Sequence, residues 1–172
     1  MTEPDNAETK DVETDDVAHF ERIASIWGAR RKGLIGVMAL KVERASRSGV
    51  TIRMPHNPDF CVDEEGTLLH GGALTALIDS SFGLANLLAI DDIQTMATLD
   101  LRVDYLRPAK SRADVLVSAE CYRRTPLIAF CSGRSWFDGM PDDEGARGAG
   151  CFALTRGENG LSAMLGLEAA PQ

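Results

Sequence analysis

A chain of 172 residues with 44% hydrophobic content is long enough for one domain around a single core and ordinary in its apolar share. Its formal charge of −8 excludes the basic stripe on which nucleic-acid binding depends. No run approaches the ~20 apolar residues that span a bilayer, which excludes a membrane-spanning helix.

Residues 1–16 hold seven acids, Glu3, Asp5, Glu8, Asp11, Glu13, Asp15 and Asp16, against Lys10, a net of −6 that leaves the remainder nearly neutral at −2. So short and acidic a segment buries too little apolar surface to order itself, and it reads as a disordered tail. Val17 to about Lys32 reads as an amphipathic helix, with Phe20, Ile23 and Trp27 on one side and Arg30, Arg31 and Lys32 near its C-terminus. Gly33 and Gly36 break it. Strands are predicted at Val37–Val42 and Val50–Met54, joined as a hairpin through a polar Arg44–Gly49 turn. Pro55 and Pro58 end the second strand around His56-Asn57.

His70-Gly71-Gly72 then opens a helical run to Ile90, with Asp79 nine residues after the histidine. Two glycines let the chain turn tightly and let a ligand carbonyl approach free peptide N–H groups at a helix N-terminus. Asp79 lies about two turns further on, ~10 Å from Gly72 at 1.5 Å per residue. Backbone donors and a carboxylate on one short element point to acyl transfer. Leu74, Leu77, Ile78, Leu84, Ala85 and Leu88 fall in one arc, the mark of a buried stripe. On the opposite face Gly72, Ala76, Asp79, Gly83 and Asn86 are all small or short, so something approaches that face closely: another element of the fold, or a ligand.

Four more strands follow. Leu99, Leu101, Val103 and Tyr105 alternate with Thr98, Asp100, Arg102 and Asp104, a half-buried strand with one polar face, ended by Arg107-Pro108-Ala109. Ala113–Tyr122, Leu127–Phe137 and Gly148–Thr155 come next, separated by turns at Arg123–Pro126 and Asp138–Gly145. Short connections with one long buried helix inserted predict an α+β fold, an antiparallel sheet of about six strands wrapped around a central helix.

Cys61, Cys121, Cys131 and Cys151 form no C-x-x-C pair and no apolar signal region follows Met1, so a reducing, cytoplasmic location is expected. With three histidines and no H-E-x-x-H pair, no metal site is expected. The Gly-x-Ser-x-Gly and phosphate-loop motifs are absent too, which removes support for α/β-hydrolase and nucleotide-loop chemistry.

Gly66-Thr67-Leu68-Leu69-His70-Gly71-Gly72-Ala73 through Asp79, then Thr98-Leu99-Asp100-Leu101 and Tyr105-Leu106-Arg107-Pro108-Ala109, resembles the hotdog-fold acyl-CoA thioesterases of the phenylacetic-acid-degradation (PaaI-like) type, in the 4-hydroxybenzoyl-CoA thioesterase superfamily. The resemblance covers roughly residues 18–157 and implies a hotdog domain over 17–157, with tails at 1–16 and 158–172. It implies a homodimer or homotetramer in which each helix and sheet edge completes the partner copy's pocket. It implies that the Gly71 amide, alone or with that of Gly72, polarises the thioester carbonyl, and that Asp79 of the opposing copy is base or nucleophile. His70 would lie near the thioester and the Thr98 hydroxyl would hold the water. No cofactor is implied, coenzyme A being part of the substrate.

One stretch departs from the pattern. Relatives often carry an asparagine some six residues before the histidine, where this chain has Asp63-Glu64-Glu65, and a carboxylate there either repels Asp79 or points to solvent. Arg107, Arg123 and Arg124 are candidates for the coenzyme A phosphates, since guanidinium pairs well with phosphate, and equally for solvated strand ends. The expected activity is hydrolysis of an acyl- or aryl-CoA to free acid and coenzyme A. The alternatives are a non-catalytic acyl-CoA-binding hotdog protein, acting as a ligand sensor or interaction module, and a purely structural small-residue helix interface.

Overall fold

The structure, a computed structural model, describes Trp27 and residues 33–89 and 95–155. The expected acidic tail, the expected first helix apart from a buried Trp27, and the C-terminal tail lie outside the described residues.

Gly33, in the left-handed region at φ 86, leads into one helical turn, α1 (Leu34–Val37). Ala39 at φ 51 reverses the chain again, so an extended strand starts only after it. For that reason β1 runs over Lys41–Ser46 and not over 37–42. It pairs antiparallel with β2 (Gly49–Met54), and since Ser46 stands opposite Gly49 the turn is just Arg47-Ser48, shorter than the expected Arg44–Gly49.

A 3₁₀ turn at Pro58–Phe60 leads toward α2 (Gly71–Leu88), the long helix. After it come β3 (Thr95–Tyr105), β4 (Val115–Arg124), β5 (Ile128–Phe137) and β6 (Glu144–Thr155). All six strands form one antiparallel sheet in the order β1-β2-β4-β5-β6-β3, curved around α2. The expected central helix and six-stranded sheet are both present. The last strand starts at Glu144, earlier than Gly148, because its ladders to β3 and β5 continue through Ala146 and Glu144.

Leu74, Leu77, Ile78, Leu84, Ala85 and Leu88 are buried, as their spacing requires, against Ile52, Met54, Val117, Ala119 and Cys131 of the sheet. Phe82 lies at the centre, fully buried, and burial of such a side chain contributes ~1.5–3 kcal/mol relative to exposure. It reaches the sheet through a trough of glycines. A Cβ at Gly133 would stand 2.8 Å from Phe82 Cε1, and one at Gly148 would stand 2.9 Å from Phe82 Cζ. Both contacts are closer than real Cβ atoms tolerate, so these strands carry glycine where the ring descends. At Asn86, on the small-residue face, what approaches is another element of the fold: the side chain is wholly buried, and the Cys131 thiol of β5 donates to its Oδ1 at 3.0 Å.

The alternation expected in β3 also breaks at one residue. Thr98 pairs with Phe152 and Asp100 with the adjacent Cys151, so Leu99 is the extra residue of a β-bulge and is exposed. A bulge shifts the side-chain phase by one position. Leu101 and Val103 therefore pack on the core, while before the bulge it is Met96 and Thr98, not Leu99, that take the helix side. β3 ends the sheet, and its outer edge has no strand beside it among the described residues.

Candidate active site

The entrance to α2 is held from three directions. The Leu69 N–H donates to the Ala109 carbonyl at 2.9 Å, which straps the helix to the segment after Arg107-Pro108, and the His70 N–H donates to the Phe60 carbonyl at 2.8 Å. Upstream, the Asp63 carboxylate accepts from the Thr67 hydroxyl at 2.5 Å and from the Thr67 and Leu68 N–H groups at 2.8 and 2.7 Å. These donors, the Thr67 hydroxyl first, hold the Asp63 carboxyl down at about 2. Asp63 is a turn former, turned inward to its own loop, and Glu64 and Glu65 beside it are exposed. Of the two fates open to this acidic stretch, solvent and loop geometry account for it; none of its three carboxylates bonds to Asp79. Asn57 is likewise engaged elsewhere, its side chain capping the 3₁₀ turn through the Asp59 N–H.

His70 caps the helix with backbone in the extended region, and its Nδ1 accepts from the Gly72 N–H at 2.8 Å. The His70 carbonyl takes the Ala73 and Leu74 amides. One first-turn donor is left over: the Gly71 N–H has no partner among the described residues. Of the two alternatives, Gly71 alone or Gly71 with Gly72, the geometry leaves the Gly71 amide open, because the imidazole occupies that of Gly72.

Each glycine has its own steric reason. A Cβ on Gly72 would sit 2.9 Å from His70 Nδ1, and one on Gly71 would sit 3.2 Å from the hydroxyl of Tyr105. Tyr105 donates to the Gly71 carbonyl at 2.8 Å and shares a short 2.5 Å hydrogen bond with Thr75 Oγ1. Tyr105 and Thr75 thus fix the peptide next to the free amide. Neither has a role assigned from the sequence, where Tyr105 reads as the last apolar position of a strand and the first residue of the Tyr105–Ala109 motif.

Further along α2, Asp79 is half-buried and accepts from the Thr98 hydroxyl at 2.9 Å, a contact the Leu99 bulge makes possible. The structure thus brings Thr98 and Asp79 together. It does not bring Asp79 to Gly71 within one chain, since eight helical residues separate them by ~12 Å. Around Gly83, one turn beyond Asp79, a Cβ would meet nothing within 4 Å, so the small-residue face is open here.

A cleft of about 330 Å³ lies beside the entrance, lined by Leu34, Met38, Phe60, His70, Ala73 and Ala76 among others. A larger hollow of about 580 Å³ lies on the sheet face turned away from α2, among Ser118, Ser132, Arg134 and Arg147, and holds none of the expected site residues.

The three arginines are not gathered into one cluster. Arg107 follows the C-terminal end of β3 and is ion-paired with Asp143. Arg123 and Arg124 end β4 at the opposite end of the sheet, where Arg124 reaches the Ala89 carbonyl at 3.5 Å past the C-terminus of α2. Among the described residues, no group of three or more His, Cys, Asp or Glu is placed to hold a metal ion, and no helix is long and apolar enough to cross a membrane.

Residues 66–136, which carry the entrance, α2, β3, β4 and all but the last residue of β5, match the family model of the Thioesterase superfamily. A Halobacterium salinarum protein that carries a provisional esterase name is 35% identical over 94 residues, 53% of this chain. The chain spans 61% of the length of that curated relative. A crystal structure of a Pseudomonas aeruginosa protein is 35% identical, with a TM-score of 0.67 over 78% of this chain and 97% of that one. A thioesterase from Haemophilus influenzae shares the fold at 16% identity, with a TM-score of 0.67 over 76% of this chain and 88% of its own. Residues 66–136 of this chain thus match the Thioesterase superfamily, and its six-stranded sheet wraps around the helix in the hotdog manner.

Proposed function

We propose that this chain is an acyl-CoA thioesterase of the PaaI-like type, acting in the cytoplasm as a homodimer or homotetramer, and that it needs no cofactor. The observation that carries the reading is the pairing of a free Gly71 amide at a helix N-terminus with an oriented carboxylate, Asp79, on the open face of the same helix. The Gly71 N–H and the positive end of the α2 dipole stabilise the oxyanion that forms as the thioester carbonyl is attacked. Asp79 acts as base toward water or as the attacking oxygen itself, the Thr98 hydroxyl setting its direction, and the coenzyme A thiolate leaves.

A carbonyl ~3 Å from the Gly71 N–H is too far from the Asp79 of its own helix, ~12 Å along the axis, so the two act together only across two copies. The unpaired edge of β3, with Leu99 exposed beside the Thr98–Asp79 pair, is the surface such a second copy would cover. His70 holds the entrance in shape through Gly72, and the neighbouring apolar cleft takes the acyl group. Arg107 and the Arg123–Arg124 pair, at opposite ends of the sheet, would serve the coenzyme A phosphates separately.

Thiol release from a panel of aryl- and straight-chain acyl-CoAs tests this, with wild type beside Asp79→Ala. Turnover falls by ~10²–10⁴ in the variant if the carboxylate is the base or nucleophile. Binding of the panel by the wild type without thiol release identifies a ligand-binding module instead, and absence of any ligand-induced thermal stabilisation identifies a structural interface.

A further inference from the structure

Two thiols that take no part in this chemistry face one another behind α2. We propose that Cys121 and Cys131 form a hydroperoxide-responsive dithiol, in which Cys121 is oxidised first and Cys131 then closes a cross-strand disulfide. The two cysteines are direct register partners in the antiparallel β4–β5 ladder. Such partners have Cα atoms ~4.5–5.5 Å apart, inside the ~4.4–6.8 Å that a disulfide spans, so the bond closes without moving the strands. All four cysteines of the chain are free thiols, and neither Cys61 nor Cys151 stands opposite another cysteine in the sheet.

The partners differ in the way a two-step oxidation requires. Cys121 is half-buried at the end of β4, next to a bulge and near the Arg124 guanidinium. Its contact with the Cys131 sulfur, aided by the Arg124 charge, brings its thiol below the ordinary range, which favours the thiolate. Cys131 is fully buried, and its contact with the Cys121 sulfur together with burial pushes its thiol up, so it keeps its proton. An accessible thiolate beside a buried resolving thiol is the arrangement of redox-sensing pairs.

Asn86 supplies an independent observation. It is wholly buried, accepts from the Cys131 thiol at 3.0 Å, and leaves its Nδ2 without a partner among the described residues. An orphaned buried donor is rare and calls for a reason. In the disulfide Cys131 has no hydrogen to give; the amide then turns over and Nδ2 donates to the sulfur.

The chemistry balances. The Cys121 thiolate attacks the distal oxygen of the hydroperoxide, the O–O bond breaks, and Cys121 becomes a sulfenic acid while the alkoxide leaves and takes a proton as the alcohol. The Cys131 sulfur gives up its proton and attacks the Cys121 sulfur, and hydroxide departs and combines with that proton as water. Two thiols are oxidised to one disulfide and one hydroperoxide is reduced.

The test uses the reduced full chain at pH 7 with equimolar hydrogen peroxide, a free-thiol count and disulfide peptide mapping. The expected result is loss of two thiols per chain, a Cys121–Cys131 linked peptide, and recovery with dithiothreitol. Cys61, whose thiol burial and Asp63 push up, reacts ~10-fold or more slowly. Cys121→Ser keeps its three thiols, and Cys131→Ala stops at a Cys121 sulfenic acid that dimedone traps. Equal oxidation of Cys61 or Cys151, a link between chains, or a Cys121 sulfinic acid formed with the Cys131 thiol intact overturns the proposal. Cys121→Ser, at a half-exposed position, decides the matter even if Cys131→Ala does not fold.

Discussion

The two halves of α2 carry different burdens. From Gly71 to Asp79 the helix buries Leu74, Leu77 and Ile78 on one side and on the other presents a free amide, a capping imidazole and a carboxylate, met by Tyr105 and Thr98 of β3. From Ser81 to Leu88 it is enclosed, with Phe82, Leu84, Ala85, Asn86 and Leu88 buried under the sheet. One continuous helix therefore joins a region whose polar groups are left available to a region where almost every group is spent on packing. Rigidity made in the second half is delivered to the first along the hydrogen bonds of the helix, which is how a small domain holds a carboxylate and an amide at fixed positions.

Variants in either half test whether that separation is real. The largest effect falls in the enclosed half: Phe82→Ala removes the ring from its glycine trough and lowers stability by ~3–5 kcal/mol in denaturant titration, while turnover per folded chain stays near wild type. Loss of turnover without loss of stability in that variant breaks the comparison. In the open half the order reverses. Thr98→Val deletes the hydroxyl that directs Asp79, a hydrogen bond to a charged group worth ~1.5–3 kcal/mol, so thiol release slows by ~10-fold or more with the melting temperature nearly unchanged.

The smallest effect concerns the loop that leads into the entrance. The Asp63 carboxyl, held at about 2 in the fold, titrates near ~3.9 in an unfolded chain, so its contribution is complete above about pH 4 and is lost as pH falls toward 2. Asp63→Asn therefore melts a few degrees below wild type at pH 7, and the gap closes in acid. A gap that persists unchanged at pH 2 shows that the loop is held by something other than the ionised carboxylate.

Much of this was legible from residue order. The apolar spacing of Leu74, Leu77, Ile78, Leu84, Ala85 and Leu88 identifies the buried stripe because helical periodicity is a local property. The His70-Gly71-Gly72 entrance and Asp79 are legible for the same reason, being a short motif on one element. The partner of Asn86 is not legible, because a short polar residue at the edge of a stripe looks the same whether it meets water or a thiol, and the thiol comes from β5, 45 residues away. The start of β1 at Lys41 is not legible either, since nothing in the local composition announces the left-handed Ala39.

The sequence by itself determined the class of fold, the long central helix with its inward face, and the motif that places backbone donors and a carboxylate on one element. Only the tertiary structure decided that Gly71 and not Gly72 offers its amide, that Tyr105 lies across that peptide, that a bulge at Leu99 turns Thr98 toward Asp79, and that Cys121 meets Cys131. The physical reason is range. Periodicity and turn chemistry act over a few residues, whereas strand register, bulges and the choice between competing hydrogen-bond partners are settled by groups far apart in the chain that meet only when the sheet closes around the helix.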